Sequence, residues 1–207
     1  MIVRPVLSDA EMDAVYRLTH DGYVEQGYIA PQPDGRLRHH VDVDASPENM
    51  VLVAVDGSAI VGTVSVTLDG PAGLHADHDF HVDCDAVRAE GWPMGAVWRI
   101  VTEPGHRASR ATVLLLIQAA TTVMFRADVE TALCTFAPHH ERAYAHLLGF
   151  RTIARSDGVR EVATPAVLMR QRVADAAARI GLLEDPALAT LVAERRRLIA
   201  AVRRVAA

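Results

Sequence analysis

The segment of residues 131–150 limits the possible folds more than any other part of the chain. It begins with an apolar and β-branched run of strand length, followed by Pro138, which suits the first turn of a helix because its missing N–H is not needed there. Gly149 follows two leucines and is placed to end that helix, and Phe150 begins another strand. A strand, a helix and a second strand in so short a segment predict an α/β (α+β) protein.

Composition excludes several classes of function. The chain has 207 residues and is 50% hydrophobic, which is enough for a folded domain with a full core. Its net charge of −5 gives no support for nucleic-acid binding. All basic residues are Arg, so a Schiff-base lysine and a P-loop lysine are both excluded.

The two cysteines and the hydropathy pattern predict a cytoplasmic protein. Cys84 and Cys134 lie in unlike contexts and do not form a disulfide framework, so a reducing compartment is expected. The sequence shows no signal-peptide pattern and no apolar run long enough for a transmembrane segment.

Periodicity and turn residues predict most of the secondary structure. Asp56-Gly57 between apolar runs indicates a hairpin, and Ser8 with Glu11 indicates a capping box at the start of a helix. Residues 27–49 lack periodicity and are expected to form a long functional loop. The predicted strands cover residues 2–7, 50–55, 60–68, 96–102, 132–136, 151–155 and 161–169, and the long helices cover residues 9–24 and 107–126.

The last part of the chain, residues 172–207, predicts a helical extension after a core domain of residues 1–171. Pro186 follows an N-cap aspartate and begins the second of two predicted helices. Arginines cluster on one side of that helix, opposite an apolar stripe. One interpretation is a solvated face packed on its own domain, and the other is a docking surface for an acidic partner or a second copy of the chain.

Residues 75–85 are rich in metal-ligand side chains. Several subsets of these residues have spacings found in zinc sites, so the pattern does not select one set. The same composition suits an exposed polar loop. We therefore predict such a loop and no metal site. The residues concerned are His75, Asp77, His78, Asp79, His81, Asp83, Cys84 and Asp85.

The helix of residues 138–150, P-H-H-E-R-A-Y-A-H-L-L-G-F, resembles the Y-x-x-x-L-G-F helix of the Gcn5-related N-acetyltransferase (GNAT) fold. Within that fold the chain is most similar to long-chain N-acyl amino acid synthases and, more distantly, to acyl-homoserine-lactone autoinducer synthases. The resemblance covers residues 1 to about 171. It implies a GNAT-like mixed central β-sheet flanked by helices, and N-acyl transfer from acyl-CoA or an acyl-carrier protein to an amino acid or similar small amine.

The resemblance also implies roles for particular residues. Asp44, Arg99 and Tyr144 are the catalytic candidates: Asp44 orients the amine or acts through water, and Tyr144 protonates the leaving thiolate. Tyr23, Tyr28 and Asp42 are expected on the acceptor side. The donor is expected to contact the strand of residues 97–102 and the following turn, through Val101, Thr102, Arg107, Ser109, Arg110 and Thr112.

Some positions depart from the family pattern. Arg110 and Thr112 stand where small residues are expected in the phosphate loop, Thr19 and Ser65 replace arginines, and Ala96 replaces a glutamate that is a candidate base. Two alternatives therefore remain: a non-catalytic GNAT-fold protein that binds acyl-CoA or a carrier, and a short-chain acetyl-CoA N-acetyltransferase. For a synthase we expect an acyl groove between the strands at residues 97–101 and 133–136.

Overall fold

The computed structural model describes residues 1–103, 106, 110–158, 162, 164–187, 189, 190, 193, 194 and 197. Seven strands form one mixed sheet. They are β1 (Ile2–Pro5), β2 (Asn49–Asp56), β3 (Ala59–Leu68), β4 (Met94–Thr102), β5 (Thr131–Phe136), β6 (Arg151–Ser156) and β7 (Ala166–Arg172). The helices are α1 (Asp9–Glu25), α2 (Val41–Asp44), α3 (Asp77–Arg88), α4 (Arg110–Arg126), α5 (Glu141–Leu148) and α6 (Val173–Arg179). Short 3₁₀ turns cover Pro138–His140 and Leu182–Glu184.

The strand order is β1-β2-β3-β4-β5-β7-β6. Neighbouring strands are antiparallel except for β4 and β5, which run parallel at the middle of the sheet. A parallel pair needs a crossover connection, which α4 supplies. The predicted mixed α/β sheet is therefore confirmed.

Alternation along the strands sends successive side chains to opposite faces of the sheet. In β2, Val53 packs with Val15 of α1, whereas its neighbours Leu52 and Ala54 pack with α4 and α6. In β5, Leu133 packs with α3, and Cys134 packs with α4 and α5. The helices α1 and α3 therefore cover one face, and α4, α5 and α6 cover the other.

Several local predictions are confirmed. Ser8 is the N-cap of α1, and its Oγ accepts the Glu11 N–H at 3.3 Å. The Glu11 carboxylate, however, accepts the Leu7 N–H at 2.8 Å, so the reciprocal bond reaches one residue further back than in a capping box. Gly57 in the hairpin turn and Gly149 at the end of α5 both have the left-handed φ expected of them, 61° and 79°.

The prediction of an exposed polar loop over residues 75–85 is wrong, because most of this segment lies in α3. Phe80, Cys84 and Val87 lie at helical spacing and are buried against the sheet. The many charged residues between them obscured this short apolar stripe. Strand β7 also begins at Ala166, later than the predicted residue 161.

The structure extends the packed core beyond residue 171. Helix α6 follows β7 directly, and Val173 and Ala174 lie in the same core cluster as Leu116 and Ala120 of α4. The division into residues 1–171 and 172–207 stays a prediction, and α6 packs as part of the first unit. Most of the second predicted helix, with Arg195, Arg196, Arg203 and Arg204, lies outside the described residues. Within the described part of the chain, no helix is long and apolar enough to cross a membrane.

Candidate functional site

The central strands β4 and β5 separate partway along their length. They pair from Met94 and Thr131 up to Val97 and Cys134, but β4 continues to Thr102 and β5 to Phe136. Arg99 has a left-handed φ of 52°, and the pairing of β4 with β3 shifts register at this point. An irregularity of this kind bends a strand and changes the direction of its side chains. A cleft therefore opens between the two strands.

The cleft contains about 910 Å³ of empty space, part of which is open solvent. A groove between these strands was predicted, and its lining mixes apolar surface with aromatic and imidazole rings. Its walls come from the two separating strands, the end of α1 with the following loop, and the start of α3 with the residues before it. The 3₁₀ turn, α5 and the segment that leads into β7 complete the lining. The principal lining residues are Tyr23, Tyr28, His39, His40, His75, Trp98, Arg99, Ile100, Cys134, Phe136, His140 and Tyr144.

Tyr144 projects from α5 into the cleft and stacks on Phe136, with ring centroids 3.9 Å apart. Burial raises the pKa of the Tyr144 hydroxyl above its usual value, and the neighbouring Cys134 and Tyr28 act in the same direction. The hydroxyl therefore stays protonated at neutral pH and is able to donate a proton.

Two histidines and a tyrosine meet at one side of the cleft. The Tyr28 hydroxyl lies 3.3 Å from Nε2 of both His139 and His140. Burial lowers the pKa of His140, and the charge of His139 lowers it further. His140 is therefore neutral at neutral pH, and a neutral imidazole carries a lone pair that accepts a proton. Its ring centroid is 6.2 Å from that of Tyr144, so a proton acceptor and a proton donor line the same cleft.

Arg99 and Asp44 form a buried ion pair beneath the cleft. Arg99 Nη2 donates to Asp44 Oδ2 at 2.6 Å, and the two side chains are only 1% and 5% exposed. Burial raises the pKa of Asp44, although Arg99 opposes this shift. The guanidinium packs over the Trp98 ring at 4.2 Å. Among the described residues, its Nε and Nη1 have no hydrogen-bond partner.

A group of imidazoles lies next to Trp98. His75 stacks on Trp98 with centroids 5.1 Å apart, and His39 stacks on His40 at 3.7 Å. Burial, followed by the charges of His39 and His78, lowers the pKa of His40 to about 3. On the outer side of His40, His78 Nε2 lies 3.1 Å from Asp42 Oδ2.

The structure brings together some of the predicted site residues. Arg99, Tyr144, Tyr23 and Tyr28 all line the cleft. Asp44 lies behind Arg99 and pairs with its guanidinium, and its predicted role in orienting the amine stays a prediction. Asp42 is 62% exposed and pairs with His78 on the outer surface of the loop.

The predicted donor contacts are spread over β4 and the start of α4. Val101 and Thr102 are buried near the end of β4, Arg110 is exposed at the first residue of α4, and Thr112 is fully buried. A Cβ added to Gly62 of β3 would lie 3.3 Å from the Thr112 methyl group. The Thr112 side chain therefore fills the space between α4 and β3. Arg107 and Ser109 lie outside the described residues.

Sequence reasoning missed the histidines of the cleft. His39, His40 and His140 were not assigned roles, and His75 was considered only within an exposed loop. The available signal was the pair of His-His dipeptides, at residues 39–40 and 139–140. They are about a hundred residues apart in the sequence, and only the fold shows that both lie on one cleft.

Comparison with known proteins shows the same fold. FeeM, an N-acyl amino acid synthase from uncultured soil microbes, has a TM-score of 0.74 at 24% identity, covering 86% of this chain and 93% of FeeM. BjaI, a CoA-dependent acyl-homoserine lactone synthase, has a TM-score of 0.59 at 19% identity, covering 84% and 83%. An acyl-CoA N-acyltransferase from Pseudomonas aeruginosa has a TM-score of 0.55 at 18% identity, covering 83% and 99%. No curated protein matches the chain by sequence.

A family model adds information that fold similarity alone does not provide. The model described as N-acyl amino acid synthase FeeM matches residues 14–172. This range includes the six strands β2 to β7 and every residue that lines the cleft. The GNAT-like fold predicted from the sequence is confirmed. The chain therefore belongs to the FeeM family of N-acyl amino acid synthases and is an N-acyltransferase.

Proposed function

We propose that this chain transfers a long-chain acyl group from a thioester to the α-amino group of an amino acid. The observation that carries the proposal is Arg99. Its buried guanidinium lines the cleft and retains unused N–H donors at Nε and Nη1 within the described structure. Arg pairs well with carboxylates, so an amino acid has a group that Arg99 recognises and a simple amine has not.

The separated strands support a thioester donor. The β4 strand leaves its parallel partner after Val97, so the backbone groups that follow are released from that pairing. Ile100 and Phe136 supply apolar surface on the two sides of the cleft, as an acyl chain requires. BjaI is described as CoA-dependent and with isopentyl-CoA bound, and the Pseudomonas aeruginosa relative as an acyl-CoA enzyme. We propose acyl-CoA or acyl-carrier protein as the donor.

His140 and Tyr144 are placed to handle the protons of the reaction. The neutral amine attacks the thioester carbonyl, forming a C–N bond and a tetrahedral intermediate. The C–S bond then breaks, and the thiolate takes the proton of the Tyr144 hydroxyl. His140 takes the extra proton of the amine nitrogen and returns a proton to the Tyr144 oxygen, directly or through Tyr28 and water. The products are the amide and the free thiol.

Asp44 completes this proposal as a positioning residue. Its carboxylate fixes Nη2 of Arg99, and Asn49 Nδ2 donates to Asp44 Oδ1 at 3.3 Å. The carboxylate is thus held on two sides and in turn fixes the orientation of the guanidinium that lines the cleft. With Ala96 in place of the glutamate expected from the resemblance, His140 supplies the base from another element.

The protein partner and the cytoplasmic location are further parts of the proposal. An acidic acyl-carrier protein would be attracted by the arginines of the C-terminal segment, and that attraction would weaken with salt. A second copy of the chain is the other candidate to cover the predicted apolar stripe. Cys84 and Cys134 are both buried as free thiols, which suits the predicted cytoplasmic location.

The test supplies purified protein with acyl-CoA and acyl-carrier thioesters of increasing chain length and a mixture of amino acids, and detects products by mass spectrometry. N-acyl amino acids are the expected products. Amino acids should be acylated faster than matching amines that lack the carboxylate. Equal rates with and without the carboxylate would contradict the role of Arg99. The absence of any acylated product would contradict the activity, and acetyl transfer alone would indicate the short-chain alternative.

A further inference from the structure

Three ligand-type side chains from two separate segments converge beside the cleft. His40 precedes α2, Asp42 lies within α2, and His78 lies in the first turn of α3. One ligand atom from each of the three lies within 4.8 Å of the others. We propose that His40, Asp42 and His78 form a binding site for a divalent transition-metal ion of the zinc type. This proposal does not rest on the acyl-transfer mechanism.

The distances require only a small adjustment to hold an ion. A tetrahedral zinc ion with bonds of about 2.0–2.2 Å holds its ligand atoms roughly 3.3–3.5 Å apart. His78 Nε2 and Asp42 Oδ2 are already 3.1 Å apart. The His40 and His78 rings lie with centroids 4.7 Å apart and planes tilted by 31°. Rotation of the exposed Asp42 and the partly exposed His78 would bring all three ligand atoms to bonding distance.

The composition of the site favours zinc over calcium or magnesium. Two imidazole nitrogens and one carboxylate oxygen suit zinc and related metals, whereas calcium and magnesium prefer oxygen ligands. Three protein ligands leave a fourth position for water or another small ligand. Asp42 is 62% exposed, so solvent reaches this side of the site.

The backbone at His40 supports a fixed position for the first ligand. Its φ of 55° and ψ of 56° are left-handed, a conformation that is uncommon for residues other than Gly, although His, Asn and Asp adopt it more often than the rest. His40 is buried against its neighbours His39 and Trp98 and also lines the cleft. A metal at this site would join the loop before α2 to α3 and hold one wall of the cleft in place.

The competing explanation is a hydrogen-bonded His78–Asp42 pair without a metal. The two explanations differ in whether His40 and His78 bind an ion together. The full chain, purified without a histidine tag and stripped with a chelator, is titrated with Zn²⁺ by calorimetry, and with Co²⁺ by visible absorption. We expect one tight site per chain, a tetrahedral Co²⁺ spectrum and a rise in melting temperature on adding Zn²⁺.

The variants His78→Gln and Asp42→Asn separate this site from adventitious binding. Each is expected to weaken Zn²⁺ binding at least 10-fold and to remove the Co²⁺ spectrum. The matched control is His81→Gln, an exposed histidine on the same helix outside the cluster, which should leave both unchanged. Asp42→Asn alters an exposed side chain, so it remains informative if His78→Gln fails to fold. Equal affinity in wild type, His78→Gln and Asp42→Asn would overturn the proposal.

Discussion

At the scale of single residues, the cleft depends on what burial does to ionisable groups. Burial disfavours a charged form, so it keeps the Tyr144 hydroxyl protonated and the His140 imidazole neutral. At neutral pH the cleft therefore holds a protonated hydroxyl and a neutral imidazole, the two forms that the proposed reaction uses, and burial also makes the hydroxyl a weaker acid and the imidazole a weaker base. Both pKa shifts arise from burial in the fold, because a tyrosine or histidine on the protein surface has the same side chain without the shift.

Replacing Tyr144 with Phe tests the proposed proton donor. The variant keeps the ring that stacks on Phe136, so stability should change little, whereas kcat should fall about 10²- to 10⁴-fold, the usual contribution of general acid catalysis. The defect should shrink with a thioester whose thiol is more acidic, because such a thiolate leaves without a proton. A kcat within two-fold of wild type would show that another group protonates the thiolate.

Replacing His139 with Ala tests the proposed proton acceptor through pH dependence. His140 acts when neutral, so kcat should fall as the pH drops through its pKa, which lies below the ordinary histidine value. His139→Ala removes a charge that lowers the His140 pKa, and the acid limb of the pH–kcat profile should therefore move to higher pH. The control is His146→Ala, an exposed histidine on α5. An acid limb that does not move would exclude His140 as the base.

At the scale of elements, the departure of β4 from β5 creates the site. Two parallel strands that stayed paired to their ends would leave no room between Arg99 and Phe136. Helix α5 then places Tyr144 over the opening, and the turn before it places His140. The position of α5 depends on how its C-terminal end turns back into β6.

Gly149 fixes this turn, and Gly149→Ala tests it. The residue has a φ of 79°, and an added Cβ would lie 2.8 Å from Arg179 Nε. The left-handed conformation alone should cost about 1–2 kcal/mol of unfolding free energy. Gly158→Ala is the matched control, because its φ is not left-handed and a Cβ there meets nothing within 4 Å. Equal stability of the two variants by urea denaturation would contradict the role assigned to Gly149.

At the scale of the whole molecule, α6 joins the C-terminal part of the chain to the core. Val173, Ala174, Ala176 and Ala177 are all buried, and Ile180 packs in the cluster that contains Phe150. A core domain that ended at residue 171 would lack these side chains and would expose the apolar surfaces on which they pack. The C-terminal segment after residue 185 contributes no such buried residues within the part that the structure describes.

Two truncations test where the folded unit ends. Removing everything after Gln171 should lower the melting temperature strongly or cause aggregation, since burying a valine or isoleucine contributes about 1.5–3 kcal/mol each. Removing everything after Asp185 keeps α6 and should leave a folded protein. Comparable melting temperatures for the two truncates would support the boundary predicted from the sequence at residue 171.

Local sequence determined the elements whose signals are contained within a few residues. The Asp56-Gly57 hairpin, the Ser8 cap and the Gly149 helix end depend on backbone preferences and near-neighbour hydrogen bonds, so they were predictable. Tyr144 was also assigned correctly to a helix, because the motif around it is contiguous. Helix α3 was missed, since its three buried residues are separated by charged ones.

The site itself was decided by the tertiary structure. His40 and His140 are about a hundred residues apart, and Arg99 pairs with an aspartate from a distant loop. Hydrogen bonds, ion pairs and burial act over a few ångströms in space, and the sequence records only separation along the chain. The sequence by itself therefore determined the strands, turns and family of this protein, whereas the sheet order and the divergence of β4 from β5 decided which side chains meet in the cleft.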